Sequence, residues 1–433
     1  MTQGNEVIHE VPADAVAAAQ RLRAAAVPPE ILEVAQTLQR GGHAAVLVGG
    51  AVRDVLMGRG ADDWDLATSA RPEEVQAAFR RTIPTGIEHG TITVLVRQSR
   101  ERGGETVPVE VTTFRGEGAY IDGRRPSAIT FLRDLEEDLA RRDFTVNAFA
   151  WDPIACRFTD PFAGLDDLRA GILRAVGEPA RRFGEDGLRT MRAVRLCATR
   201  RLQLDPATEA AIGGALEVLA KVSRERVHVE LSKLLGAAAP SVGLWPMART
   251  GMWALVLPEL DAPAQAAAIA AVDALPADPV LRLARLLWPA VSTTITPTLD
   301  GLRHGRAERA RLGALLGEGA RALTIAAGPV AADPVAIRRA ASVLGRANLD
   351  DAMAVAELDD DARARVHDAV RDAALSTDEL VLKPRDLIAQ GVATPGPAMG
   401  ALVRAMFEAV LVDPSRNHVD ALLALARERG AAP

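Results

Sequence analysis

Asp63 and Asp65 stand two residues apart in DDWDLAT, downstream of the apolar run Val46–Val48, a Gly49-Gly50 pair and a short helical stretch ending near Gly58. Strand side chains alternate faces, so a strand through this segment directs both carboxylates the same way. Two carboxylates on one face beside a glycine turn suit a divalent cation and a triphosphate. Hard oxygen ligands hold Mg²⁺, and glycines let backbone N–H groups approach phosphate oxygens closely. Each piece alone has a plainer reading, since a lone Asp-x-Asp is commonly a solvated pair and Gly-Gly a turn.

Three further segments carry chemistry. Glu110 lies in the strand pattern VPVEVTTF, where it is either a surface glutamate or a third carboxylate beside Asp63 and Asp65. Three acids can hold two Mg²⁺ ions, one activating an attacking hydroxyl and one gripping the triphosphate. In DLARRDFTVNAFA, Arg142 suits phosphate or sugar oxygens and Asp143 can accept from a ribose hydroxyl. The alternative there is a charged helix cap.

The segment RRFGEDGLRTMRAVRLCA places Asp186 and Arg189 three apart, expected as neighbours on one helix face. A carboxylate only accepts hydrogen bonds and a guanidinium only donates them. Cytosine and adenine each offer an amino donor beside a ring-nitrogen acceptor, which such a pair matches. Uracil and guanine offer the reverse. Arg192 and Arg195 continue the spacing of three and wind away from Asp186, toward phosphate or toward plain surface.

Together these segments resemble the class II tRNA nucleotidyltransferases, the CCA-adding enzymes and poly(A) polymerases of the DNA polymerase β superfamily. VGGAVRDVLMGR with DWDLAT, RRDFTVNA and EDGLRTMRAVR carry the resemblance, supported by TIPTGIEHGTITV, YIDGRRPSAITF, SRERVHVELSKLL and the stretch LVLKPRDLIAQG onward. The resemblance implies metal binding by Asp63, Asp65 and Glu110. It implies nucleotide contacts by Gly49, Gly50, Arg53, Arg142, Asp143, Asp186, Arg189, Arg192 and Arg195. The implied reaction is template-independent addition of C, C and A to the 3′ end of tRNA from CTP and ATP with Mg²⁺. Position 187 is glycine, which implies a looser templating helix, because glycine costs up to about 1 kcal/mol in a helix interior. Specialists adding only A or only CC, a poly(A) polymerase and a small-molecule nucleotidyltransferase share parts of the pattern. A catalytically inactive tRNA-binding protein is the alternative of another class. CC-adding specialists have a shortened segment where this chain keeps Arg115 to Phe131 whole, including Tyr120, Asp122, Arg124 and Arg125. That long, glycine-marked loop is expected to reposition the pocket for A.

Composition narrows the class. The chain has 433 residues and a formal net charge of −6, so nucleic acid must meet a local basic patch. Arg169 to Leu202 supplies one. Lysines occur only at 221, 233 and 383, which argues against a P-loop ATPase and lysine-adenylylating ligases. Phosphates in the first half must be held by arginine, backbone N–H or metal. Two cysteines give no disulfide framework or zinc spacing, and no signal-peptide or membrane-spanning pattern appears. A cytoplasmic protein without a membrane partner is expected; the pattern leaves the oligomeric state open.

The elements that must position these residues follow. An α+β fold is expected: a polymerase-β-like head with a small mixed sheet, then an all-α neck, body and tail. The expected segments are a loosely constrained leader over 1–25, a head over 26–152 and a neck with the templating helix over 153–222. A body over 223–320 and a tail over 321–433 follow, both helical, with the tail meeting the tRNA acceptor arm. Helical modules read RNA by shape and phosphate contacts.

Overall fold

The computed structural model describes residues 10–87, 90–98, 103–117, 129–258, 262–290, 301–329 and 332–430. It divides into two compact units, Met1–Val256 and Leu257–Pro433. That boundary falls inside the expected body segment, beside the proline-bracketed stretch 258–263.

The first unit is built on a mixed sheet of seven strands: β1 (Ala45–Val48), β2 (Asp65–Thr68), β3 (Thr82–Gly86), β4 (Thr91–Arg97), β5 (Thr106–Thr113), β8 (Ala150–Asp152) and β9 (Arg157–Thr159). Their order is β3-β4-β5-β2-β1-β8-β9. The strands β6 (Arg115–Glu117) and β7 (Ile129–Phe131) form an antiparallel stem. Residues 118–128, most of the loop expected to reposition the pocket, lie outside the described residues. The all-apolar β1 is buried along its whole length and lies inside the sheet, between β2 and β8. On one side it pairs antiparallel with β2, which itself runs parallel to β5.

Helices α1 (Ala15–Arg23) and α2 (Pro29–Arg40) precede the sheet; α3 (Gly50–Leu56) and α4 (Pro72–Ala78) follow β1 and β2. The α1 segment is not a loose leader: Ala18 and Leu22 are buried and Arg21 donates to the Leu56 carbonyl. Helix α5 (Leu135–Ala140) starts at Asp134, whose carboxylate accepts from the Glu136 and Glu137 amides. Then come α6 (Gly164–Ala170), α7 (Pro179–Glu185), α8 (Leu188–Arg200), α9 (Pro206–Gly214), α10 (Leu216–Ala220), α11 (Arg224–Leu235), α12 (Ser241–Arg249) and α13 (Met252–Val256). Helix α8 is the spine of this region, packed by α11 and α12. The neck expected to be all-α also holds β10 (Ile172–Leu173) and β11 (Gln203–Leu204), which pair in parallel.

The second unit is helical throughout its described residues. Its alanine-rich stretch forms the helix Ala262–Val272, and the helix Pro279–Leu287 follows after a break. Its helix ends share one device: an arginine from elsewhere caps the last carbonyls. Arg338 donates to Leu411 and Val412 at 2.6 and 2.8 Å, Arg365 to Ala327 at 2.8 Å, and Arg346 to Val370 at 3.3 Å. The first unit repeats it, with Arg182 on Ala140 and Arg189 on Arg141 at the end of α5. Terminal carbonyls lack helical partners and carry the negative end of the dipole, so a cationic fork satisfies both needs.

Candidate active site

The acids gather at the end of β2. Strand β2 begins at Asp65 itself, so Asp63 precedes the strand rather than lying in it. The alternation still holds, because Trp64 is buried between two exposed aspartates. Leu66 of β2 stands beside Val111 of β5, which places Asp65 beside Glu110 one step back on parallel strands. Asp65 also pairs with Val48, the residue before the Gly49-Gly50 turn. Gly49 takes φ of +75°, and a Cβ there would lie 3.0 Å from Arg142 Nη1 and 3.5 Å from Asp65 Oδ2. Only glycine permits that approach.

Desolvation lifts the Asp65 carboxyl above the usual carboxylate range; Arg142 opposes this, Asp63 and Glu110 add to it, and Arg192 opposes it. A desolvated carboxyl with two further acids beside it gathers negative charge in one place, and hard carboxylate oxygens suit a divalent cation. The three acids thus fit Mg²⁺. Among the described residues, their oxygens are not drawn within 4.8 Å of one another as a set. Arg142, following α5, has a buried Nε without a partner and spans 3.4 Å to Asp138. Its guanidinium lies against Gly49 and within electrostatic reach of Asp65.

Several expected ligand contacts are engaged within the protein. Asp143 is buried and spends both oxygens internally, which leaves no oxygen for a ribose hydroxyl in this state. Its Oδ1 accepts from the Phe144 amide and Asn147 Nδ2, each at 2.9 Å. Its Oδ2 accepts from Arg192 at 2.7 and 2.6 Å. Burial would raise the Asp143 carboxyl, but Arg192 and Asn147 outweigh it and hold it far below the usual range. Arg53 is buried beneath Gly50, held by Asp54 and by Asn147 Oδ1. Arg195 is neither plain surface nor turned to phosphate: it forms a mostly buried pair with Glu230 of α11 at 2.5 Å.

The expected helix through Asp186 and Arg189 is two helices. Helix α7 ends at Glu185, Asp186 is extended with φ −147° and ψ 109°, and α8 starts at Leu188. Asp186 and Arg189 therefore do not share a helix face. Asp186 Oδ1 accepts from the Leu188 amide and Oδ2 from Arg226, both at 3.0 Å. Arg189 is buried and donates to Glu185 Oε2 at 2.7 Å and to the Arg182 and Arg141 carbonyls. Gly187 is no loosening of a helix interior. A Cβ there would sit 2.5 Å from the Leu219 nitrogen and the Val218 carbonyl carbon, so the α7–α8 bend nests against backbone from 218–219. Gly187→Val should lower the thermal midpoint by roughly 4–10 °C, as expected for overpacking of a few kcal/mol in a unit this size. An unchanged midpoint in thermal denaturation would remove that account of the glycine.

The Poly A polymerase head domain family matches residues 45–174, and the family described as Probable RNA and SrmB-binding site of polymerase A matches 201–263. The CCA-adding enzyme of Lactiplantibacillus plantarum is 36% identical over 406 residues, 91% of this chain and 94% of that relative. The chain belongs to the CCA-adding enzyme family. The enzyme of Levilactobacillus brevis is 46% identical over 229 residues, 52% of this chain and 55% of that one. At such higher identities the chain thus matches about half the length of its curated relatives. A crystal structure of the Bacillus stearothermophilus CCA-adding enzyme with CTP superposes with a TM-score of 0.70 at 32% identity, covering 93% of this chain and 98% of that one. The head match takes in the acids, the glycine turn, Arg142 and Asp143. Asp186, Arg189, Arg192 and Arg195 fall between the two matched segments.

Asn147, Asp54, Glu185 and Arg226 were missed as site residues. All four stand inside segments singled out from sequence, and their hydrogen-bonding types were the available signal.

Proposed function

We propose that the chain adds C, C and A to the 3′ end of tRNA from CTP and ATP, without a nucleic-acid template. The observation that carries this reading is the convergence of Asp65, Glu110, the Gly49 backbone and Arg142 at one strand end. The membership in the CCA-adding family supports it. Asp63, Asp65 and Glu110 would hold Mg²⁺, which supplies activation of the tRNA 3′-hydroxyl and charge neutralisation on the triphosphate. The glycine turn and Arg142 bind the phosphates, and Arg192, oriented by Asp143, fixes the nucleotide above them. Asp186 and Arg189 read the base, with Asp186 Oδ2 exchanging Arg226 for the base amino group. The expected head, neck, body and tail segments follow the same reading, with the acceptor arm along the helical remainder and the work set in the cytoplasm. No described helix is long and apolar enough to cross a membrane.

The test is incubation with tRNA lacking CCA, CA or A, with each nucleoside triphosphate in turn. C is expected on the first two acceptors as each requires, A on tRNA ending in CC, and neither U nor G on any. A addition without C addition would point to an A-adding specialist. In the same assay Asp186→Ala should lose roughly 5- to 150-fold discrimination against UTP and GTP, the worth of 1–3 kcal/mol of mispaired polar groups. Wild-type selectivity in that variant under competing nucleotides would end the base-reading role.

A further inference from the structure

The polar groups between α3 and α8 form a closed circuit. It leaves α8 at Arg192, crosses to Asp143, to Asn147, to Arg53, to Asp54, and returns to α8 at Arg200. Arg200 grips Asp54 through two nitrogens at 2.8 Å each. Arg192 and Arg200 are eight residues apart, about 12 Å along the helix. The base-reading helix is therefore held at two points to the turn that carries the glycines. Asn147 is the one neutral member.

We infer that Asn147 is a positioning residue that fixes the register between the phosphate-binding turn and the nucleotide-reading helix. It is buried at 5% exposure. Arg53 can only donate and ionised Asp143 only accepts, so the group between them must accept on one side and donate on the other. A side-chain amide does both. Its orientation is set by these neighbours: Oδ1 toward Arg53 and Nδ2 toward Asp143. A carboxylate at this position serves Arg53 and repels Asp143. An aliphatic side chain serves neither.

The inference rests on the reading of the site proposed above. Its test is a double-mutant cycle of Asn147→Asp with Asp143→Asn, read as kcat and KM for CTP on tRNA lacking CCA. Thermal midpoint and calorimetric CTP affinity are followed in parallel. Asn147→Asp should lower kcat roughly 10- to 100-fold, as small misplacements of reacting groups do, with KM for CTP little changed. In the Asp143→Asn background a donor again faces an acceptor, and the same substitution should cost within roughly 2-fold. Equal losses in both backgrounds would overturn the inference, as would a fall in thermal midpoint with kcat per CTP-binding site unchanged. Asn147→Leu, neutral and similar in size, gives a second reading of the same kcat-against-KM split. A wild-type chain that binds CTP yet adds no nucleotide would instead overturn the proposed function. The cycle is then read on CTP affinity, where additivity still refutes the positioning role.

Discussion

Asp63→Ala and Asp65→Ala should each remove the addition of both C and A, while tRNA binding persists. Asp65 pairs with the residue before the glycine turn and stands beside Glu110, with Asp63 two residues ahead, so their loss acts on cation and triphosphate. Charge stabilisation by a bound cation is worth several kcal/mol in the transition state, so kcat should fall on the order of 10³-fold or more. Asp65→Asn separates charge from shape: it keeps the volume, relieves repulsion with Asp63 and Glu110, and should still fail. The decisive measurement is single-turnover addition at saturating Mg²⁺ with tRNA affinity measured alongside. Residual activity near wild type in either alanine variant would refute the metal assignment.

Asp143→Ala has the largest expected effect on stability. It strips Arg192, Asn147 and the Phe144 amide of one shared acceptor in the interior. Breaking a buried ion pair by removing one partner costs about 3–5 kcal/mol. In a unit of this size that is a fall of roughly 6–20 °C in thermal midpoint. The pH dependence has a definite sign. The folded-state carboxyl lies far below its unfolded value, so its stabilisation is full above the ordinary carboxylate range and fades as pH falls toward the folded value. The midpoint difference between wild type and Asp143→Ala should be constant near neutrality and shrink below about pH 4. A gap that stays the same at acid pH would show that the charge on Asp143 is not what stabilises the fold. CTP addition should weaken in the same variant, since Arg192 loses the group that aims it.

Local patterns were legible where local chemistry decides the structure. The apolar run Ala45–Val48, the glycine turn and the alternation around Trp64 needed no distant partner, and they put Asp65 at the strand end beside the glycine turn. The α+β head and the helical remainder were legible for the same reason. What escaped was set by contacts far apart in sequence. The bend between α7 and α8 exists because backbone from 218–219 presses on Gly187, and nothing near residue 187 announces that neighbour. Arg195 read as surface or phosphate ligand because its partner, Glu230, lies 35 residues away. Asp143 offered a free acceptor on paper; in the fold Arg192, far along the chain, consumes it.

The arginine-capped helix ends bear on how this protein meets reactive chemistry. Amine-directed acylation or carbamylation can reach only Lys221, Lys233 and Lys383 among its side chains; Lys383 donates to the Asp378 carbonyl of a single 3₁₀ turn, Thr377–Glu379, whereas the α-helix ends described above are capped by arginine. Guanidinium groups stay protonated well into the alkaline range, where ammonium groups begin to neutralise, so the helix ends keep their cationic caps there. Dicarbonyl reagents, which attack guanidines, meet a different situation. Arg338 is buried and committed to two carbonyls, so it becomes reactive only when the helix it caps opens. Its modification rate is thus a clock for local opening of the second unit, separate from any measure of turnover.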